Sequence, residues 1–193
     1  MAPPFLVATV GASAGGLEAF SRLLSRIPVG TALALVLAQH LSRAHPSLLP
    51  EILGRRTTFR VVFGSDGLKI EVGHVYVIPP DKHITVIDGH LRIRPRPGGP
   101  WAEQVNALFE SAAKYYGEKS VGVILSGALS DGSAGFRAIR AAGGITLAQQ
   151  PADAQLESMP RSAIETGDVD LVLSAEELGA QLVRISELPR FKW

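Results

Sequence analysis

Three residues of the types that perform acyl transfer stand just beyond three apolar stretches. Ser13 follows Phe5–Gly11, His40 follows Leu33–Ala38 after a single Gln39, and Asp131 follows Ser120–Leu125 in a loop of small and polar residues. A serine attacks a carbonyl when a neighbouring base takes its proton. A histidine serves as that base when a carboxylate fixes its tautomer and orientation. The chain order Ser, His, Asp is no obstacle, because such a triad is defined by geometry and not by sequence position. Ser13 has the most telling local setting. It lies in Gly11-Ala-Ser-Ala-Gly-Gly16, between a strand pattern and a helical one. Small neighbours let its hydroxyl stand clear, and the following helix offers free N–H groups to an oxyanion.

Each of these residues has a plainer reading. Serine is a preferred helix cap, and a glycine-rich turn at a helix start also binds anions. Asp131 could cap the helix after it, and His40 could be a core histidine bonded to a carbonyl. His45, His74, His83 and His90 compete with His40. His83 lies in the polar turn after Pro79-Pro-Asp-Lys82, His90 follows a hairpin glycine, and His74 begins an inserted strand. None of these follows a parallel strand. Ser126, Ser130 and Ser133 crowd the Asp131 loop but lack the strand–turn–helix setting of Ser13.

Other chemistries fit less well. Gly11-x-x-x-Gly15-Gly16 is followed by Leu17-Glu18, so it matches neither the dinucleotide fingerprint nor the phosphate loop. No acidic residue closes the second strand. There is no cysteine and no HExxH spacing, so neither a metal nor another cofactor is expected. With a net charge of +1, 6% aromatics and no basic run, nucleic acid is not an expected partner.

The elements that position these residues follow from the pattern. The 193 residues, 46% hydrophobic, suffice for one domain with a substantial core. The N-terminus lacks the basic region of a signal peptide, and no apolar run is long enough to span a membrane, so a cytoplasmic location is expected. Phe5–Gly11, the helical spacing of Leu17, Phe20, Leu23, Leu24 and Ile27, and Leu33–Ala38 form a βαβ unit with parallel strands. A short helix is expected over 45–56, with Pro46 early and a possible kink at Pro50. Thr57–Phe63 and His74–Ile78 read as strands, and Ile84–Ile93 as a hairpin around Asp88-Gly89. Arg92, Arg94 and Arg96 alternate on that hairpin as a solvated face, or as a basic docking surface. Trp101, Val105, Leu108, Phe109, Ala112, Ala113 and Tyr116 trace a helix. Further helices are expected at 134–142, 159–166 and 175–185, the last capped by Ser174, with strands at 144–148 and 169–173. The alternation is α/β, with a mostly parallel sheet covered on both faces and antiparallel elements in the middle of the chain. Sites in such sheets gather beyond the carboxyl ends of the strands, where Ser13, His40 and Asp131 fall.

Six segments in register carry a family resemblance: Gly11–Phe20, Gln39-His40, Tyr76–Pro80, Leu125–Gly132, Ala148-Gln149 and Met159–Ala163. Together they resemble the catalytic domain of the chemotaxis protein-glutamate methylesterases, the CheB type, over nearly the whole chain. The resemblance implies a modified doubly wound sheet with an inserted antiparallel hairpin, and one catalytic domain over 1–193 without a receiver domain. It implies hydrolysis of glutamate methyl esters on chemoreceptor helices, with glutamine deamidation in some members. It assigns Ser13 as nucleophile, His40 as base and Asp131 as orienting carboxylate, with the N–H groups of Ala128 and Ala14 as oxyanion donors. It also implies possible regulation by a receiver or methyltransferase domain, in a longer or a separate chain. Two positions depart from the family pattern: Ala14 stands where many members have Thr, and Leu129 where they have Gly. These departures leave open a catalytically weakened, partner-binding regulatory domain of the same fold.

Overall fold

The computed structural model describes residues 5–39, 47–96 and 104–188, so the assignments above for His40, His45, Pro46 and Trp101 lie outside the described residues. In chain order the elements are β1 (Leu6–Ala12), α1 (Gly16–Leu24), β2 (Leu33–Gln39), α2 (Leu49–Gly54), β3 (Arg60–Phe63), β4 (His74–Val77), β5 (Lys82–Ile87) and β6 (His90–Pro95). They continue with α3 (Gln104–Tyr116), β7 (Ser120–Ile124), α4 (Ser133–Ala141), β8 (Ile145–Gln149), α5 (Ser158–Glu165), β9 (Leu171–Leu173) and α6 (Ala175–Ser186).

Seven strands form one sheet in the order β3-β4-β2-β1-β7-β8-β9, and every pairing in it is parallel. The continuous apolar run of β1 has a simple cause. Paired on both sides and covered on both faces, all seven of its residues are buried. Leu6, Ala8 and Val10 face the core beneath α1, α2 and α6, while Val7 faces the core beneath α3, α4 and α5. Burying each of the large side chains contributes about 1.5–3 kcal/mol before entropy is counted. From β1 the chain runs outward to β2 on one side and returns later to β7 on the other. The strand order therefore reverses between β1 and β7, which is where ligand sites form in open parallel sheets.

The antiparallel part of the fold is confined to β5 and β6, which pair from Lys82–Pro95 to Ile87–His90. Asp88 and Gly89 turn at φ 51° and 75°, the all-positive geometry of the type I′ hairpin. Ile84, Val86 and Leu91 bury against α3, and the Val86 N–H donates to Ser111 Oγ at 3.0 Å. His74, expected to open an inserted strand, instead opens β4 of the main sheet at its amino end, paired in parallel with β3 and β2. The β3–β4 crossover holds no helix. Its backbone is satisfied by the hairpin, through Gly67 N–H to Leu91 O, Leu91 N–H to Leu68 O and Ile70 N–H to Gly89 O at 2.8–2.9 Å. A hairpin here replaces the usual crossover helix, so strand spacing alone did not show the parallel pairing. Pro50 sits in the first turn of α2 and does not kink it, because a first-turn residue has no intrahelical N–H bond to lose.

Helix α6 starts with a capping box, Ser174 Oγ accepting from the Glu177 N–H and Glu177 Oε2 accepting from the Ser174 N–H. It then packs on α1 at Gly179, where a Cβ would run into the Leu23 carbonyl oxygen. Backbone cannot rotate out of the way as a side chain can. Gly179→Ala is therefore expected to destabilise by about 1–3 kcal/mol, lowering the thermal midpoint by roughly 2–4 °C per kcal/mol. A circular-dichroism melt checks this, and an unchanged midpoint would contradict the close α1–α6 approach.

Candidate active site

The turn after β1 is built from short-range constraints. The helix α1 takes Gly15 as its N-cap in the left-handed conformation, φ 78°, with no side-chain capping bond. Ser13 therefore does not cap the helix, and among the described residues its half-buried hydroxyl has no hydrogen-bond partner. A Cβ on Gly15 would meet Ser126 Oγ at 2.5 Å and Gln155 Cβ at 2.7 Å, so both conformation and space demand glycine there. The backbone of Ser13 is fixed at both ends. Its N–H donates to Ser126 O at 3.0 Å, and its carbonyl accepts the Gly16 N–H at 2.9 Å.

The loop after β7 lies against this turn. A Cβ built on Gly127 would be 3.0 Å from Ser13 Cβ and 3.2 Å from Ser13 N. Ala128 follows, half-buried, and Ala14 is exposed; among the described residues neither N–H has a hydrogen-bond partner. One unspent donor next to the serine in sequence and one next to the glycine packed against it are the kind of groups a developing oxyanion requires. Asp131, expected either to orient a histidine or to cap α4, does not cap α4: Gly132 is the N-cap there, at φ 96° and without a side-chain bond. Asp131 instead reaches across to α3. Its carboxylate, 1% exposed, accepts the Val105 N–H at 3.0 Å and the Asn106 N–H at 3.2 Å. Asn106 Oδ1 in turn accepts the Gly135 N–H at 2.8 Å, which locks α3 to α4 beneath the loop. A carboxylate accepts about four hydrogen bonds, so two helix N–H groups are compatible with holding an imidazole as well.

His40 lies outside the described residues. The strand leading to it ends with Gln39 opposite Ala12 in the β1–β2 register. The competing histidines lie elsewhere. His74 and His90 line a cavity at the amino end of the sheet, their Nδ1 atoms bonded to Val72 O and Asp88 O. His83 sits opposite Arg94 in the hairpin. Arg94 is engaged by Asp66 at 2.8 Å, both well exposed, as a solvated face would be.

The residues that hold the two loops together escaped sequence reasoning. Ser126 Oγ donates to Ala14 O at 2.8 Å and accepts the Leu156 N–H at 3.0 Å. Its own N–H donates to Gln149 Oε1 at 2.8 Å. Gln149, buried at the end of β8, donates through Nε2 to Asp153 Oδ2 at 2.8 Å. Asp153 also accepts from the Ala175 N–H at the start of α6 and from Arg22 of α1, and Arg22 forms a two-pronged pair with Glu176. Met159 packs beneath, its Sδ 2.5 Å from where a Gly127 Cβ would be. Ser126, Gln149 and Met159 lie in segments that carry the family resemblance, but their role as a clamp depends on pairings across the fold.

Burial pushes the Asp153 carboxyl up, but Arg22, the Ala175 N–H and the Gln149 amide outweigh it and hold it below its ordinary value. Its stabilising contribution is therefore complete above the unfolded value of about 3.9 and is lost as pH falls through the lower folded value. Asp153→Asn is expected to cost about 1–2 kcal/mol at pH 7 and much less at pH 3. Urea titrations at the two pH values check this; an equal cost at both would show that the network does not depend on the charge.

A family model described as CheB methylesterase matches residues 8–182. The chain is 37% identical over 192 residues to protein-glutamate methylesterase/protein-glutamine glutaminase 6 of Anaeromyxobacter dehalogenans, covering 95% of this chain and 55% of that one. It is 32% identical over 183 residues to a Leptospira interrogans relative, covering 92% and 93% of the two chains. This chain thus spans about half the length of the first relative and nearly all of the second. The crystal structure of the Thermotoga maritima CheB methylesterase catalytic domain superposes with a TM-score of 0.85 at 25% identity, over 94% of this chain and 98% of that one. No helix among the described residues is long and apolar enough to cross a membrane. The family model spans most of the chain and the fold matches over nearly the whole of both chains, so the chain belongs to the CheB methylesterase family.

Proposed function

We propose that this chain is a serine hydrolase that removes methyl esters from glutamate side chains of chemoreceptor helices, and that it acts on glutamine amides at the same site. The observation that carries this reading is the Ser13 hydroxyl. It does not cap α1, it stands at the reversal point of the sheet, and the N–H groups of neighbouring Ala14 and of Ala128 in the adjoining loop have no partners among the described residues. The substrate class follows that of relatives such as the Anaeromyxobacter dehalogenans protein-glutamate methylesterase/protein-glutamine glutaminase.

In this mechanism Ser13 Oγ attacks the ester carbonyl carbon while His40 takes its proton. The carbonyl oxygen becomes an oxyanion and accepts from the N–H groups of Ala128 and Ala14. Collapse breaks the bond to the methoxy oxygen, and His40 returns the proton to release methanol. Water, deprotonated by His40, then cleaves the acyl-serine bond and regenerates the hydroxyl. With an amide, ammonia leaves in place of methanol. Asp131 orients the imidazole and stabilises its charged form, and the α3 N–H groups fix the carboxylate for that task. A groove of about 510 Å³ touches the turn at Gly15 and runs along α1 toward Ile52 of α2, and Ser13 does not line it.

Ser13→Ala is expected to abolish methanol release from a methylated receptor, by about a millionfold on the precedent of serine proteases, with the melting curve preserved. Near-normal release by the folded variant would exclude Ser13 as nucleophile. The rate should also fall on the acid side as an imidazole protonates, from a reference near 6.5, with Asp131 moving that limb upward. Asp131→Asn should reduce turnover by up to about ten-thousandfold. A flat profile from about pH 5 to 9, a range that spans that reference value, would contradict a histidine base.

A further inference from the structure

Leu129 occupies a conformation that its side chain disfavours. Its φ is 69°, in the left-handed region where Cβ crowds the backbone of every L-residue. The other non-glycine residues with positive φ among those described are Asp81 and Asp88, and aspartate tolerates this region in turns. Leu129 has little packing to offset the strain, since it is 63% exposed. It directly follows Ala128, the proposed oxyanion donor. A second exposed leucine, Leu156, belongs to the segment bonded to this loop: its carbonyl accepts the Gly127 N–H at 3.1 Å, and it is 41% exposed. Two exposed leucines thus lie in the β7 loop, whose Ser126 and Gly127 adjoin Ser13, and in the segment bonded to that loop. Strain held at a site without a local structural return points to a role in the site's work.

We infer that Leu129 is a specificity-determining residue, which contacts apolar side chains of the protein segment flanking the esterified glutamate. This rests on the esterase reading above. A small ester brings no such surface, so Leu129 distinguishes protein from small-molecule substrate and takes no part in the bond changes.

The test compares two probes on the whole chain: N-acetyl-glutamate γ-methyl ester N-methylamide, and a helical leucine-containing peptide bearing one glutamate methyl ester. Leu129→Gly and Leu129→Asn both suit a positive φ and remove the apolar surface, whereas Leu129→Met keeps it. The ratio of kcat/KM for the helical peptide to that for the small ester is expected to fall about tenfold in the Gly and Asn variants, mostly through KM, and to persist in the Met variant. The Gly variant should melt about 2–4 °C higher, as release of local strain implies for a chain of this size. An unchanged ratio in the Gly and Asn variants would overturn the inference while leaving the esterase reading intact. An equal fall for both probes in all three variants would also overturn it, by making Leu129 a structural residue of the loop. Failure of the unsubstituted chain to cleave either probe would overturn the esterase reading itself, and this inference with it.

Discussion

The hydrogen bond from the Ser13 N–H to the Ser126 carbonyl fixes the rest of the site. The last register pair of β1 and β7 is Gly11 with Ile124, and the Leu125 N–H still reaches Gly11 O. Ser13 to Ser126 carries that ladder past the strands into the two loops. The turn bearing the proposed nucleophile and the loop bearing a proposed oxyanion donor are thereby one hydrogen-bonded unit. The Ser126 side chain reinforces it by bonding Ala14 O on one side and the Leu156 N–H on the other. Without these links, two loops of small residues would carry enough conformational freedom to blur distances that catalysis needs within about half an ångström.

Close approach of backbones is bought with missing side chains. Gly127 must lie flat against Ser13, and the space its Cβ would take is filled by Met159 from α5. The Gly127 carbonyl accepts from both the Met159 N–H and the Ser158 hydroxyl, so α5 is attached to the loop it packs beneath. Behind the loop runs a polar chain from Ser126 through Gln149 and Asp153 to Arg22 and Glu176. Buried polar chains of this kind are favourable only when every member is satisfied. Gln149 uses both ends of its amide, and Asp153 uses both oxygens. The chain ends at α1 and α6, on the opposite face of the sheet from α5. The site is thus braced by helices of both layers.

Asp131 shows how one residue serves fold and proposed chemistry together. Its carboxylate takes the first free N–H groups of α3, which otherwise would be buried without partners. The positive end of the α3 dipole faces the carboxylate, a favourable arrangement for an anion. This fixes the distance between α3 and the β7 loop. It also holds the carboxylate plane rigid, as orienting an imidazole demands.

The sequence by itself determined the parallel α/β plan, because continuous apolar runs and helical spacing alternate along the chain. It also determined the hairpin, because Asp88-Gly89 accepts two positive φ values that few other pairs adopt. Ser13 and Asp131 were visible as candidates, since a small-residue turn after a buried strand is a local feature. Tertiary structure alone decided which capping roles were real. Ser13 and Asp131 both looked able to cap the helix after them, yet glycines occupy both cap positions and Asp131 caps a helix elsewhere in the chain. It alone placed β3 and β4 in the main sheet, because the crossover between them is closed by hydrogen bonds to a hairpin later in sequence. It alone revealed Ser126 and Gln149 as the clamp between loops, since their partners lie 112 and 23 residues away along the chain. Local conformation is set by neighbours in sequence. Satisfaction of buried donors and acceptors is set by neighbours in space, and those exist only once the sheet has formed.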